Sequence, residues 1–357
     1  MKKLKQLLSA LFLGANLCSL LALWLCCLST WLEPARFPLC SLMGLAFPIT
    51  LCINIGFFIF WLIFRVRYIW VPLVGMLLVG SYIYDYCPIQ LRASEPDSAA
   101  LTVLSFNTGD MIEDEEHASF YEYVRRMKPD ILCMQEFQQG WFQRKGVKEL
   151  LKEMNYNYVS DKFANCIITR LPILGDTLHV AYPTRHNRSI ACWVEWQGDS
   201  VLVVSNHLES NQLNDEDKKQ YRDMLKEPHR QTVKEGSKHL FGKLSEAVIY
   251  RGAQADVLCS LADSLAGHHI IMAGDFNDTP ISYTYQQLAR RLNSVYRESG
   301  NGFGRSFSQR GFPVRIDHLF ISRDLVSTHT FIDKDFDISD HYPLVTHLSR
   351  RPQNDGK

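Results

Sequence analysis

Two long stretches without a charged residue lie near the N-terminus, and they constrain the fold more than any other feature. Residues 6–30 and 37–64 are uncharged and mostly apolar, and each exceeds the roughly 20 apolar residues that carry a helix across a bilayer core. A third uncharged stretch, residues 68–84, is shorter and contains Pro72. We therefore expect three transmembrane helices, at about 6–30, 37–64 and 68–84, within a membrane anchor over residues 1–88.

A cleaved signal peptide is the alternative for the first stretch, because Lys2, Lys3 and Lys5 precede it. Its apolar run is too long for the central region of such a peptide, and no small-residue cleavage site follows it. Further hydrophobic stretches behind it weaken the alternative, so we interpret residues 6–30 as a helix that stays in the membrane.

Basic residues predict the orientation of the anchor, because they mark the cytoplasmic ends of spans. Lys2, Lys3 and Lys5 place the N-terminus in the cytoplasm, and Arg65 and Arg67, between the second and third stretches, belong on the same side. Three crossings then put the rest of the chain outside the cytoplasm, as in a multi-pass protein of the bacterial inner membrane. If the third stretch only lies on the membrane surface, the rest of the chain is cytoplasmic.

The chain behind the anchor has the composition of a water-soluble domain. Residues 89–100 are rich in Pro, Ser and Ala and predict a linker, which leaves a domain over residues 101–350. The net charge is +4 in residues 1–88 and −4 in the rest of the chain, so a broad basic surface for duplex DNA is not expected. The ten cysteines form no CxxC pair, which leaves zinc ribbons and thioredoxin-like motifs without support.

Apolar segments of strand and helix type alternate from residue 101 onward, as in α/β folds. Helical faces are marked by Phe120, Val124 and Met127, by the stripe from Leu244 to Leu265, and by residues 281–292. The segment 211–242 is long, charged and without a clear period, so we expect an excursion over the surface. Strands are predicted at residues 101–106, 130–135, 166–169, 191–196, 201–205, 269–274, 315–322 and 343–348.

Polar residues that can bind a metal or move a proton recur at the ends of the apolar strands. A rigid sheet directs side chains at its strand ends into one cleft, which is where catalytic groups concentrate. Any one of these residues has an ordinary alternative, such as turn chemistry for Asp275 and Asn277, but eight such residues at six strand ends favour a site. The residues are Asn107, Glu136, His207, Asp275, Asn277, Asp317, Asp340 and His341.

The motifs around these residues, in this order, resemble the endonuclease/exonuclease/phosphatase superfamily over residues 101–348. They are LSFNTGD, MQEF, SNHLES, AGDFND, RIDHLFIS and SDHYPL, of which GDFN followed by SDH is the most specific. The resemblance implies a four-layer α/β sandwich, in which two mixed β-sheets are flanked by helices. It also implies Mg²⁺-dependent cleavage of a phosphate ester, with Mn²⁺ as a possible substitute.

The resemblance also implies a role for each residue. Glu136 would be the principal metal ligand, with Asn107 beside it and Asp340 at the metal or its water shell. Asp275 would orient or deprotonate the attacking water, and Asn277 would hydrogen-bond a phosphate oxygen. Asp317 would hold His341 as a cation beside the phosphate, and His207 would be the second imidazole.

Three further residues are candidates for the surroundings of the site. Asn165 occupies the place of a family loop that borders the cleft. Arg188 and Arg315 could contact phosphate, although a solvated surface position is the simpler expectation for both.

The substrate stays open at this level: a lipid headgroup, a small phosphodiester or a nucleic acid. The mildly acidic domain and its tether to the lipid bilayer favour a membrane-proximal phosphodiesterase over a nuclease of genomic DNA. An inactive binding module is a further alternative, but such a chain would be expected to have lost Glu136, Asp275 or His341. No obligate protein partner is evident.

Overall fold

The structure is a computed structural model and consists of an N-terminal helical bundle and an α/β sandwich. It describes residues 2–90, 100–109, 114–138, 140–162, 164–184, 187–212, 216–217, 219, 230–308 and 314–351.

The N-terminal bundle contains two helical segments that are long and apolar enough to cross a membrane, Lys3–Trp31 and Pro38–Phe64. Its α-helices are α1 (Lys2–Leu28), α2 (Pro38–Ser41), α3 (Phe47–Phe64), α4 (Trp70–Leu77) and α5 (Gly80–Tyr86), with 3₁₀ turns at Ser29–Trp31, Leu42–Ala46 and Val66–Tyr68.

The expectation of a single third helix over residues 68–84 is wrong. Helices α4 and α5 meet at a bend of 66° and could form one span only as a broken helix. Pro72 does not cause the break, because it lies in the first turn of α4, where its missing N–H has no helical partner. The break falls at Val79, whose φ of −111° and ψ of 19° are not helical. Val79 is buried with Leu23 and Phe47, so packing within the bundle accompanies the bend.

Helices α1 and α3 run antiparallel. Near one end of the pair, Phe12 stacks on Phe60 with ring centroids 4.8 Å apart, and Trp61 Nε1 donates to Asn16 Oδ1 at 3.0 Å. The N-terminus of α1 and the C-terminus of α3 therefore lie at the same end of the bundle, and α4 returns along α1, where Trp24 Nε1 donates to the carbonyl of Gly75.

The other end of the bundle is packed against the sandwich. Gly44 approaches the backbone so closely that a Cβ on it would lie 1.8 Å from the carbonyl oxygen of Ile281. The guanidinium of Arg290 lies 3.6 Å from the ring centroid of Trp31. Asp85, buried at the end of α5, accepts a hydrogen bond from Gln286 Nε2 at 2.9 Å and pairs with Arg297. These contacts fix the sandwich against the bundle.

The sandwich contains five α-helices and twelve strands among the described residues. The helices are α6 (Asp114–Met127), α7 (Lys145–Glu153), α8 (Arg230–Ser264), α9 (Tyr283–Ala289) and α10 (Val295–Ser299), with a 3₁₀ turn at Trp141–Gln143. The strands are β1 (Leu101–Asn107), β2 (Ile131–Gln135), β3 (Asn157–Ser160), β4 (Asn165–Thr169), β5 (Ile173–Val180), β6 (Ser189–Trp196), β7 (Asp199–His207), β8 (His269–Asp275), β9 (Asn293–Ser294), β10 (Asp317–Ile321), β11 (Leu325–Ile332) and β12 (Leu344–Arg350).

Two six-stranded mixed sheets form the centre of the sandwich, with the strand orders β11-β12-β1-β2-β4-β3 and β5-β6-β7-β8-β10-β9. The pairs β1–β2 and β7–β8 are parallel, and the other pairs are antiparallel. One core cluster fills the space between the sheets, including Val103, Ile131 and Val203. Helices α6 and α7 cover the outer face of the first sheet, and α8 and α9 cover that of the second. The predicted pair of mixed sheets flanked by helices is therefore confirmed.

The second half of the predicted surface excursion at 211–242 is helical, because residues 230–242 begin the 35-residue helix α8; His239 and Phe241 there are exposed, as expected of a surface segment. The sequence predicted no helix there because residues 230–242 show no clear apolar period. Asp217, which precedes α8 in the chain, is buried and pairs with two residues of that helix, Lys243 at 2.5 Å and His239 at 3.0 Å. Most of the predicted linker, residues 91–99, lies outside the described residues.

Candidate active site

The polar strand-end residues meet at one edge of both sheets. Because β1 and β2 are parallel, Asn107 and Glu136 leave the first sheet side by side, and parallel β7 and β8 do the same for His207 and Asp275. Antiparallel β10 begins where β8 ends, with Asp317 opposite Asp275. The topology therefore brings residues as distant in sequence as Asn107 and Asp317 into one cleft.

His341 lies between two buried carboxylates. Its Nδ1 is 2.8 Å from Asp317 Oδ2, and its Nε2 is 3.7 Å from Asp275 Oδ2. Burial lowers the pKa of His341, but the charges of Asp317 and Asp275 outweigh burial and raise the pKa to about 10. The imidazole is therefore a cation at neutral pH, held by Asp317 on one side and facing the cleft on the other.

Glu136 follows β2 in a left-handed backbone conformation, with φ of 54°. Such strain is uncommon outside glycine and clusters at functional sites. Its Oε1 accepts a hydrogen bond from Asn107 Nδ2 at 3.0 Å and lies 3.2 Å from His207 Nε2. Burial raises the pKa of Glu136, but His207 and Asn107 outweigh burial and lower the pKa to about 2. Glu136 is therefore an anion throughout the physiological pH range.

His207 is the second imidazole of the cleft. Burial lowers its pKa, yet Glu136 and Asp275 raise it overall above the ordinary value. Its Nε2 is buried and pairs with Glu136 Oε1 at 3.2 Å, although the angle of this contact falls outside ideal hydrogen-bond geometry. The carboxylates of Glu136 and Asp275 therefore favour the protonated form of the ring.

Asp275 ends β8 and is almost fully buried. Its Oδ1 accepts the backbone N–H of Asn277 at 2.8 Å, and its Oδ2 accepts the amide of Asn107 at 3.0 Å. Burial raises its pKa to about 6, against the opposing charge of His341. A carboxyl that titrates close to neutral pH is suited to accepting a proton.

Gly274, before Asp275, is required by close packing of β7 and β8. Its φ is +144°, and a Cβ on it would lie 1.9 Å from the carbonyl oxygen of Asn206. Asn277 follows with φ of 52°, and its Nδ2 donates to Leu208 O at 3.0 Å and to Asp275 Oδ2 at 3.2 Å. This amide would have to turn away from both acceptors to reach a substrate.

The cleft contains acidic and histidine side chains placed for a metal ion. Ligand atoms of Glu136, His207 and Asp275 lie within 4.8 Å of one another, as do those of Asp275, Asp317 and His341. Asp340 belongs to neither group, but it lines the cleft together with Glu136 and His341. The oxygen of Asn107 accepts the N–H of Gly109 at 3.0 Å, so its amide would have to turn for that oxygen to face a metal.

The three further candidates take different positions. Asn165 is buried beneath the cleft, where it donates to the carbonyl oxygens of Arg188 and Ser205. Arg188 is half-buried. The expectation of a solvated Arg315 is wrong, because it is buried, stacks on Tyr296 at 4.0 Å and donates to the backbone carbonyl of Asp85. The sequence predicted an exposed Arg315 because its partners, Tyr296 and the carbonyl of Asp85, are distant from it in the chain.

A buried polar group beside the cleft has no counterpart among the residues predicted from the sequence. Arg251 on α8 lies 3.3 Å from Asp278 Oδ2 and donates to Asn211 Oδ1 at 2.9 Å and to the carbonyl of Glu209 at 3.0 Å. Asp278, the last residue of the GDFND motif, was the available signal for this group. Arg251 itself gave none, because its partners come from loops distant in sequence.

Comparison with known families gives two matches. Residues 104–341 match the Endonuclease/Exonuclease/phosphatase family, and residues 9–86 match a domain of unknown function (DUF8431). A comparison with curated proteins finds no significant match.

Solved structures include similar folds. The endonuclease/exonuclease/phosphatase from Bacteroides vulgatus is 14% identical, with a TM-score of 0.51 over 71% of this chain and 99% of that chain. ANGEL2, described as a 2′,3′-cyclic phosphatase, is 13% identical, with a TM-score of 0.51 over 72% of this chain and 98% of that chain. These identities establish a common fold alone. Because the family match covers most of the chain, however, the chain belongs to the Endonuclease/Exonuclease/phosphatase family, whose members are phosphoric ester hydrolases.

Proposed function

We propose that the protein is a Mg²⁺-dependent phosphodiesterase that acts at a membrane by in-line attack of water on a phosphate ester. The observation that carries the proposal is the arrangement of His341, between Asp317 and Asp275 and in the same cleft as Glu136 and His207. One cationic imidazole, a second imidazole and three carboxylates in one cleft suit an anionic phosphate and a water nucleophile.

We assign the metal site to Glu136, with Asn107 and Asp340 as further oxygen ligands. The fit rests on the ionised carboxylate of Glu136, whose pKa is about 2, and on a donor set of carboxylate and amide oxygens that suits a hard cation. Mn²⁺, which accepts the same ligands, is a possible substitute. A divalent cation bound there would offset the negative charge on the phosphoryl oxygens.

Asp275 is assigned as the base. Its pKa of about 6 keeps it ionised at neutral pH while leaving it basic enough to accept a proton from water. Asn277, two residues further on, is assigned a hydrogen bond from its amide to a phosphoryl oxygen.

The two imidazoles are assigned to the phosphate. His341 supplies a fixed positive charge, because Asp317 keeps it protonated across the neutral range. His207, whose protonated form is favoured by Glu136 and Asp275, is assigned the proton transfer to the leaving oxygen.

We further propose that the catalytic domain lies outside the cytoplasm and the N-terminus inside. Two spans are supported by length and apolarity; the third crossing would be the bent pair α4 and α5. The bundle geometry supports this orientation. Lys5 at the start of α1 lies at the end of the bundle away from the sandwich, as does Arg65 after α3, whereas Trp31 and Asp85 contact the sandwich.

Hydrolysis by the full-length protein in detergent tests the proposed activity. A chromogenic phosphodiester should be cleaved with Mg²⁺ and not with a chelator, and supercoiled plasmid should be cleaved more slowly. A protein that cleaves none of the phosphodiesters with Mg²⁺ or Mn²⁺ would be the inactive module instead, and preferential cleavage of plasmid would identify a nuclease.

A further inference from the structure

The cleft does not end at its polar residues. One cavity of about 1740 Å³ is lined by Glu136, Asp275 and His341 and also by the start of the membrane helix α3. Ligand pockets for small molecules enclose about 300–1,000 Å³. A small phosphate ester bound at the catalytic residues would therefore leave most of this cavity unfilled.

The remainder of the cavity has an apolar side, which we call the apolar wall. From the bundle and α3 come Leu45, Ile49, Cys52 and Ile53; from α8 come Phe241 and Leu244. Ile49 and Ile53 are one turn apart on the same face of α3, with 65% and 46% of their surface exposed, and Phe241 is 51% exposed. The wall is therefore open to an apolar occupant.

The position of the wall identifies that occupant. Helix α3 belongs to a segment long and apolar enough to cross a membrane, so the wall is continuous with a surface that contacts hydrocarbon chains of the bilayer. Lifting a hydrocarbon chain out of a bilayer exposes its methylenes to water, and each exposed methylene disfavours the step by about four-fold. A wall that joins the bilayer to the catalytic residues removes this cost for a substrate with such a chain.

We propose that the substrate is a lipid phosphate ester, whose phosphate lies among Glu136, Asp275 and His341 while its hydrocarbon chain lies along the apolar wall. The inference rests on the proposed phosphodiesterase activity and adds the class of substrate. A nucleic acid would place charged phosphates and sugars against Ile49, Ile53 and Phe241, which have no hydrogen bond to offer them through their side chains.

The test is a chain-length series on the full-length protein in nanodiscs. The probes are p-nitrophenyl phosphodiesters whose second ester is ethyl or dodecyl, and a single-stranded oligonucleotide is the competing substrate. We expect kcat/KM for the dodecyl ester to exceed that for the ethyl ester by about ten-fold or more.

Matched variants separate the apolar wall from simple partition of the probe into the bilayer. Ile49→Ser with Ile53→Ser should lower the dodecyl-to-ethyl ratio by about ten-fold. The control is Ile59→Ser with Ile63→Ser, at exposed positions of the same helix that do not line the cavity. We expect this control to leave the dodecyl-to-ethyl ratio unchanged. Phe241→Ser, on α8, should lower the ratio without any change in a membrane helix, so it serves if the first pair does not fold.

The outcomes distinguish this inference from the activity on which it rests. If the ethyl ester is cleaved but all variants show the same dodecyl-to-ethyl ratio, the apolar wall is an ordinary lipid-facing surface and the inference is wrong. Faster cleavage of the oligonucleotide than of the dodecyl ester would also overturn it. If no ester is cleaved with Mg²⁺ or Mn²⁺, both the proposed activity and this inference fail.

Discussion

His341 Nδ1 and Asp317 Oδ2 lie 2.8 Å apart, both buried, although the two residues are 24 positions apart in the chain. The pair is formed where β10 begins beside the end of β8, so that Asp317 faces the ring from within the sheet. On the other side of the ring, Asp275 Oδ2 lies 3.7 Å from His341 Nε2. A single imidazole therefore connects the two carboxylates.

The His341–Asp317 pair should behave as one unit in catalysis. We expect His341→Ala and Asp317→Asn each to lower kcat by about 10²-fold, and the double variant to add little, because residues in direct contact are non-additive. Without Asp317 the pKa of His341 should fall from about 10, so Asp317→Asn should recover activity as the pH is lowered. The measurement is the pH profile of kcat/KM for the three variants. Full additivity, or an unchanged profile for Asp317→Asn, would show that the residues act independently.

Asp275 should make the metal-free protein less stable as the pH rises. Burial raises its pKa from 3.8 to about 6, so the folded state binds a proton more tightly than the unfolded state, and this stabilisation is lost as the pH rises from about 4 through 6. With metal removed by a chelator, we expect the Tm of the wild type to fall relative to that of Asp275→Asn as the pH rises over this range. The variant should also lower kcat by about 10²-fold. A Tm difference independent of pH would contradict the raised pKa.

Glu136 should control the metal requirement. We expect a chelator to abolish hydrolysis and Mg²⁺ or Mn²⁺ to restore it, and Glu136→Gln to need at least about ten-fold more Mg²⁺, because a charged oxygen ligand is lost. Titration of activity against Mg²⁺ measures this. Glu149→Gln is the matched control, since Glu149 forms an exposed ion pair with Lys145 on α7. Restoration by Zn²⁺ alone, or wild-type behaviour of Glu136→Gln, would refute the assignment.

The topology predicts the side of each loop of the anchor. Reporters fused after residue 35 and after residue 95 should be active outside the cytoplasm, and one fused after residue 66 should be active inside, because basic residues flank that turn. External protease should reach the catalytic domain in spheroplasts. Protection of the domain until lysis would mean that the bent pair α4 and α5 does not cross the membrane.

Asp85 should hold the catalytic domain on the bundle. Asp85→Ala leaves the amide of Gln286 without one of its acceptors and Arg297 without its carboxylate, so we expect a loss of about 1–3 kcal/mol in unfolding free energy. Thermal unfolding of the full-length protein measures the effect. Glu33→Ala, which removes only the exposed pair with Arg36, should cost less than about 1 kcal/mol. Equal effects would show that Asp85 is not an anchor.

The sequence by itself determined the features that depend on local pattern. Uncharged apolar runs identify the two helical segments that are long and apolar enough to cross a membrane, because a helix in a bilayer must be apolar along most of its length. Alternating strands and helices indicated an α/β fold, and the ordered motifs from Asn107 to His341 indicated the family. The two-sheet sandwich was implied by that resemblance. The roles of those residues stay predictions until the variants above are measured.

Only the tertiary structure decided the features that depend on distant partners. The bend between α4 and α5 and the burial of Arg315 involve contacts with residues far away in sequence, which local periodicity does not detect. The cavity that joins Glu136 to Ile49 belongs to the same class. The sequence around Glu136 does not predict that Ile49 lies near it, because the cavity between them forms only when the bundle packs against the sandwich.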